Sequence, residues 1–401
     1  MDTDKRWKAL GESLINYSLA MQPGEKLMIA MYETESYPLA LAAYEACIKA
    51  GGYPQIQFMS EALKHAVLKY GNEEQISWVP EIEKYGMEWA DCYLALRGAF
   101  NLNECFDIPT DKVAKYQKAM GTISGLRWQK TRWALVRVPN ERFAQQANVS
   151  YEYMMDMFFD ACSIDWPAHV EQWKKVADIL DKGNHLHLIS EGTDFSFDYG
   201  GKKWIVADNK TNIPDGEINV SPIWDTVKGV VTFDFPATIG GKVIHNLKLT
   251  FKDGVVSEVQ ADDNVEFVKN IIASDEGSNR VGEFAFGTNP YVNVCTTDIL
   301  IDEKIFGTIH MALGRPYDNA YYSSIHWDII KDMRKGGTVE IDGKEIYKDG
   351  KSKIKTDAGD KPASVLSYTH NYFYFFLCLG SDGLPAARSS SIICSISIFF
   401  T

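Results

Sequence analysis

The sequence predicts an α/β N-terminal domain with βαβ units, followed by an α+β, strand-rich C-terminal domain that carries a candidate metal site. Three observations carry this. A strand–helix–strand pattern opens the chain, short strands and turn signals dominate from about residue 183, and histidines gather with carboxylates between residues 303 and 328. The length of 401 residues suits two or three domains, expected here as 1–182, 183–351 and an atypical tail at 352–401.

Lys26 to Met31 (KLMIAM) reads as a short buried strand. Tyr37 to Ala50 has apolar residues at helical spacing and is closed by Gly51-Gly52, after which Pro54 to Phe58 begins another strand. The loop between first strand and helix, Tyr32 to Ser36, has no glycine, so the backbone cannot approach a pyrophosphate as a dinucleotide fingerprint requires. Helices are expected at about 61–70, 73–85, 111–120, 140–147 and 151–162, with a strand at Asp91 to Arg97.

From about residue 183 the pattern changes. Strands are expected at Leu186–Ser190, Ile218–Ile223, Gly229–Phe235, Lys242–Phe251 and Val255–Gln260, with hairpin turns at Gly240-Gly241 and Asp253-Gly254. A helix from about Val265 to Ala273 interrupts them. A second helix is expected from Asp275 to Phe286, with Ser274 as N-cap and Gly287 closing it.

Composition excludes several classes. Apolar residues at 45% and charged residues at 24% fit an ordinary globular protein, not collagen, a coiled coil or a disordered chain. Lys plus Arg is 41 against 54 Asp plus Glu, a net charge of −13, which argues against nucleic acid as a partner. Seven scattered cysteines without a CxxC pair form neither a disulfide framework nor a thiolate zinc site. The charged N-terminus leads into no apolar signal segment, and the longest apolar run, Tyr372 to Leu379, is too short to span a bilayer. A cytoplasmic protein with reduced thiols and no membrane partner is the expectation. The tail is serine-rich and, from Asn371 onward, charged only at Asp382 and Arg388, so it is expected to be non-catalytic and to favour aggregation.

Most of the eight histidines have bland readings. His185 and His187 share one face of a strand as a possible ligand pair, though they open a domain between leucines. The informative segment runs from Ile309 to Tyr317 and on to Ser324–Asp328. If Ile325 to Ile329 is a strand, its period of two puts His326 and Asp328 on one face and Trp327 on the other. His310 closes an apolar run and can reach the same point across the sheet. Two histidines and a carboxylate suffice for a metal with open positions, and a hydrogen-bonded His–Asp pair is the plain alternative. Glu217 opens a strand after Pro214-Asp215-Gly216. Glu283 falls in the expected second helix, where a lone Glu usually faces solvent.

Six stretches then resemble, in order, the metallo-aminopeptidases of the aminopeptidase T and aminopeptidase S type. They are GTDFSF at 192–197, NIPDGE at 212–217, LTFKDGVV at 249–256, DEG…RVGEFAFGTNP at 275–290, DEKIFGTIHMALGRPY at 302–317 and SSIHWD at 323–328. The N-terminal half resembles the family more loosely, through LAMQPGEKLMI, and the tail has no counterpart in it. The resemblance covers about Leu14 to Gly350.

The resemblance implies two divalent metal ions held by Glu217, Glu283, His310, Tyr317, His326 and Asp328. Glu303 aligns with a further acidic position, as ligand or base, and Tyr317 is either a ligand or a phenol that hydrogen-bonds the tetrahedral intermediate. The implied activity is metal-dependent aminopeptidase action. A hydroxide bridged by the two ions attacks the first peptide bond of a peptide with a free N-terminus, inside a homodimer with an enclosed cavity. Two like-charged ions roughly 3.5–4 Å apart need a bridging carboxylate and several anionic ligands, which this set supplies. Oxygen-rich ligation without thiolate suits zinc, cobalt, manganese or magnesium alike. A different reading takes His310, His326 and Asp328 alone as the iron site of a mononuclear ring-cleaving dioxygenase. Glu217 and Glu283 have no use in such a site. A third reading is a non-catalytic peptide-binding protein of the same fold, and the complete ligand set argues against it.

Overall fold

Lys26–Tyr32 can be almost wholly apolar because both of its faces are covered. In the computed structural model, which describes residues 4–98, 101 and 103–355, it is an inner strand of a parallel sheet. Its neighbours are Tyr53–Met59 and Cys92–Arg97, followed by Arg132–Arg137 and, at the edge, Asn212–Ile213. Leu27 and Ile29 pack on one side with Leu39, Ala43 and Cys47 of the helix Tyr37–Lys49. Ala30 packs on the other side with Met87 and Ile123. Burial on both faces explains the unbroken apolar run of a parallel strand.

The expected helix at 73–85 is two helices, Glu73–Ser77 and Glu81–Trp89. Pro80 restricts the residue before it and begins a new helix instead of continuing the old one. The helix expected at 111–120 runs from Thr110 to Lys130. Helix Trp166–Leu180 packs its apolar face on the strands that follow it.

The second half contains an eight-stranded sheet, antiparallel at each pairing, and a five-stranded antiparallel sheet. The hairpin turns at Gly240-Gly241 and Asp253-Gly254 lie where the spacing placed them. The run Lys242–Phe251 is broken into Lys242–Ile244 and Lys248–Lys252, in different sheets, with Asn246 between them at φ 51°.

The expected helix Asp275–Phe286 does not form. Residues 275–280 make a turn, and Val281–Gly287 is a strand. The competing signal is period two: Phe284 and Phe286 alternate with Glu283, Ala285 and Gly287. Each buried Phe contributes about 1.5–3 kcal/mol against solvent exposure, and only a strand puts both on one face. The Phe284 ring lies 5.2 Å from Phe197 of the eight-stranded sheet, and Phe286 stacks on Trp204 at 5.7 Å. One face of the five-stranded sheet is therefore core.

Candidate metal centre

The opposite face of that sheet gathers the ionisable residues. Its strand order is His326–Asp332, Thr308–Gly314, Val281–Gly287, Glu217–Val220 and Ile205–Val206. Pairing sets Glu217 opposite Gly287, Ala285 opposite His310, Glu283 opposite Ala312, and Ala312 opposite Asp328. His326 lies opposite Gly314. The face thus alternates ligand-type residues with alanine and glycine, and the small residues leave room between the strands for the larger ones. Ile218, Phe284, Phe286, Ile309, Met311, Trp327 and Ile329 take the alternate positions and point into the core.

Two glycines make the register possible. The pairing shifts between Val281 and Glu283, and a Cβ on Gly282 would meet the Gly314 carbonyl oxygen at 2.4 Å. Gly314 has φ 104°, and a Cβ there would meet the Ile325 carbonyl oxygen at 2.3 Å. His326 is held through Nδ1, 2.9 Å from the Arg315 carbonyl oxygen, so Nε2 is the nitrogen that faces the carboxylates. Asp275 accepts from the Ser324 backbone N–H at 2.7 Å and fixes the segment leading into that strand.

Nε2 of His310 lies 3.5 Å from Glu217 Oε2 and 3.7 Å from Glu283 Oε1. Nε2 of His326 lies 3.1 Å from Glu283 Oε2 and 3.4 Å from Asp328 Oδ1. Three triads have ligand atoms within 4.8 Å of one another: Glu217–Glu283–His310, Glu283–His326–Asp328 and Glu303–His310–Asp328. Glu283, His310 and Asp328 each belong to two of them. Glu283, 1% exposed, and His310, fully buried, sit where polar atoms are ordinarily hydrogen-bonded. Yet Glu283 Oε1, both ring nitrogens of His310 and Asp328 Oδ1 make no hydrogen bond. Such a cluster fits a cation, which satisfies carboxylate oxygens and neutral imidazole nitrogens together.

The field of the cluster is anionic. Burial alone would lower the His310 pKa, but Glu283, Glu217 and Asp328 outweigh it and push it up to about 9. His326 is likewise pushed to about 11 by Asp328 and Glu283 against the effect of burial. Burial would raise the Glu283 carboxyl, and the two imidazoles hold it low instead. A field that draws protons onto two buried imidazoles also draws a divalent cation, in competition with those protons.

Glu303 is buried beside the same face. Burial, with Glu217 and Asp328 near it, raises its carboxyl to about 8 despite the adjacent Lys304. Tyr317 stands at the rim: the residue is 52% exposed, and its ring lies 5.5 Å from the His326 ring. Burial of the phenol, reinforced by Glu283, Glu217 and Asp328, holds it well above its ordinary range. His185 and His187 belong elsewhere, engaged separately by Asp198 at 2.5 Å and Asp194 at 2.8 Å. Among the described residues no metal-type cluster includes them.

The sequence reading passed over Asp215, Asn219 and Lys304. Lys304, fully buried, touches Asp215, Glu217 and Glu303. A charge triplet, Asp302-Glu303-Lys304, directly before an apolar run was the available signal. Charged residues there are buried only when paired.

Comparison with known proteins gives the family and the fold. The family model for thermophilic metalloproteases (M29) matches residues 3–352. Aminopeptidase 2 of Geobacillus stearothermophilus is 25% identical over 358 residues, covering 78% of this chain and 84% of the relative. The solved structure of wild-type AmpT from Thermus thermophilus superimposes with a TM-score of 0.78 at 21% identity, covering 87% of this chain and 99% of that one. A 2,5-dihydroxypyridine dioxygenase from Pseudomonas putida shares the fold more distantly, with a TM-score of 0.56 at 13% identity over 88% of this chain and 97% of that one.

Proposed function

Since the chain belongs to the M29 family of thermophilic metalloproteases and is a metalloaminopeptidase, we propose that it removes the N-terminal residue of peptides with two divalent ions. The observation that carries this reading is that Glu283 belongs both to the triad with Glu217 and His310 and to the triad with His326 and Asp328, with each of its oxygens facing a different imidazole. We assign Glu217, Glu283 and His310 to one ion and Glu283, His326 and Asp328 to the other. Bound there, such a pair supplies acidification of a water and polarisation of the scissile carbonyl. Zinc, cobalt, manganese and magnesium all suit the donor set.

The chain's own residues do the rest. Glu303, buried beside the same face, takes the proton of the attacking water and returns it to the leaving amine. The Tyr317 phenol, held protonated, donates a hydrogen bond to the oxygen that gains charge in the tetrahedral intermediate. The substrate's free α-ammonium is attracted by the carboxylate cluster, which selects chain ends over chain interiors. The homodimer implied by the family resemblance is the expected assembly, tested by sedimentation equilibrium. A cytoplasmic setting is supported by free thiols at Cys47, Cys92, Cys105, Cys162 and Cys295.

The mononuclear dioxygenase reading needs His310, His326 and Asp328 around one iron. The triads divide the two imidazoles between them, and Glu217 and Glu283 lie buried in the same cluster, which favours the two-ion reading. Hydrolysis of a leucyl anilide by the metal-supplemented protein, without dioxygen consumption, tests the choice. Dioxygen uptake with no hydrolysis would reverse it.

A further inference from the structure

The Lys304 ammonium donates to Glu217 Oε2 at 2.6 Å and forms ion pairs with Glu303 Oε1 at 2.8 Å and Asp215 Oδ1 at 3.2 Å. Fully buried and surrounded by these three carboxylates, it is engaged within the protein. The lysine is itself fixed, because its backbone carbonyl accepts from the Asn289 N–H at 3.2 Å. The Asn289 side chain in turn donates to the Asp215 carbonyl at 2.8 Å and the Ala161 carbonyl at 3.1 Å. Asp215 is held as well, accepting from the backbone N–H groups of Gly216 at 3.0 Å and Asn209 at 3.1 Å.

The consequence falls on Glu217. Its Oε1 accepts from Asn219 Nδ2 at 3.0 Å and its Oε2 from Lys304, while Oε2 lies 3.5 Å from His310 Nε2. With each oxygen anchored by a donor, the carboxylate cannot rotate, and the free lone pair of Oε2 is left for the side of His310. Lys304 also ties Glu217 to Glu303, pairing with both carboxyl groups. Among the described residues Lys304 forms no ion pair with Glu283, His326 or Asp328, and its link toward Asp328 runs through Glu303.

We propose that Lys304 is a positioning residue for one ion position only. It clamps Glu217, and beside it Glu303, so that the position formed by Glu217, Glu283 and His310 takes up its ion tightly. The position of His326 and Asp328 is independent of it. This rests on the two-ion reading above. Removing an outer partner of a metal ligand typically costs about 10–100-fold in metal affinity, which is the size of effect expected at the dependent position.

Charge has to be separated from placement, because deleting an ammonium alone makes the cluster more attractive to cations. The informative protein is therefore the double variant D215N/K304M, which removes one charge of each sign and leaves the proposed ligands in place. The probe is zinc, titrated into metal-free wild type, K304M and D215N/K304M by calorimetry, with bound metal counted after dialysis at fixed free zinc. Wild type should bind two ions per chain. The double variant should retain one with affinity within about twofold and bind the other about 10–100-fold more weakly. Excess zinc should restore its kcat while KM stays unchanged, a rescue that a purely structural lysine would not give. Two ions of wild-type affinity in the double variant would overturn the proposal, as would equal weakening at both positions. Failure of both Lys304 variants to fold would likewise assign the lysine to structure instead. Fewer than two ions in wild type would reject the two-ion reading itself, independently of Lys304.

Discussion

Glu283 directs Oε1 at His310 Nε2, 3.7 Å away, and Oε2 at His326 Nε2, 3.1 Å away. Each oxygen of one buried carboxylate faces a different imidazole, one on the adjacent strand and one on the strand beyond it. In the proposed two-ion site a carboxylate so placed would be shared by both cations and would offset their repulsion.

Glu283→Gln should therefore lose both ions, whereas His326→Ala should lose chiefly the one it shares with Asp328. Each variant should lower peptidase turnover by more than about 100-fold, exceeding the usual cost of losing an outer-shell partner. Far-UV circular dichroism should be unchanged. Metal analysis of the purified variants checks this. Wild-type turnover with wild-type metal content in either would remove Glu283 and His326 from the site.

Gly282→Ala tests the bulge that aims Glu283. The added methyl meets the Gly314 carbonyl oxygen at 2.4 Å, so the paired strands must separate or the bulge must rearrange. Destabilisation of about 1–3 kcal/mol is expected, in line with other overpacked sites, together with weaker metal binding. Chemical denaturation and zinc titration measure the two effects. A variant as stable and as tightly metal-binding as wild type would show that the bulge is not needed.

Much of this arrangement was legible in the sequence, for physical reasons. The strand of His326 and Asp328 alternates with Trp327 and Ile329 between a wet and a dry face, and that period of two survives in the fold. The parallel sheet was readable because buried parallel strands are apolar throughout. Glu283 was misplaced on a helix because Ser274, Asp275 and Glu276 imitate a helix start, while the competing period of two rests on only two phenylalanines over a short span. Tertiary burial of both rings decided for the strand. Lys304 was passed over because charge runs are ordinarily solvated. Only the fold brings Asp215 and Glu217 to the lysine from more than 80 residues away.

Asp275 gives a pH prediction. Slight burial would raise its carboxyl, but hydrogen bonds from Ser324, Ser323 and the Gly277 N–H pull it to about 2, from 3.8 unperturbed. A depressed carboxyl contributes stability that is fully present above about pH 3.8 and is lost as pH falls through about 2. Asp275→Asn should cost about 1–3 kcal/mol at neutral pH and flatten the acid limb of the stability curve in that window. Urea unfolding from pH 2 to 7 reads both. An unchanged acid limb would show that Asp275 does not anchor the Ser324 segment.

Substrate charge gives another. The carboxylate cluster attracts a free α-ammonium, and an N-acetyl group removes that charge. A short peptide should lose residues one at a time from its N-terminus, and its N-acetylated form should turn over at least about 100-fold more slowly, a loss of roughly 2.7 kcal/mol. Mass spectrometry of both digests decides it. Equal rates, or internal fragments, would point to an endopeptidase.

The most direct measurement is a titration of the metal-free protein with zinc or cobalt while release of the N-terminal residue from a leucyl peptide is followed. Activity should rise with added metal and saturate at two equivalents per chain. Saturation at one equivalent, or full activity without metal, would contradict a site in which Glu283 is shared by two ions.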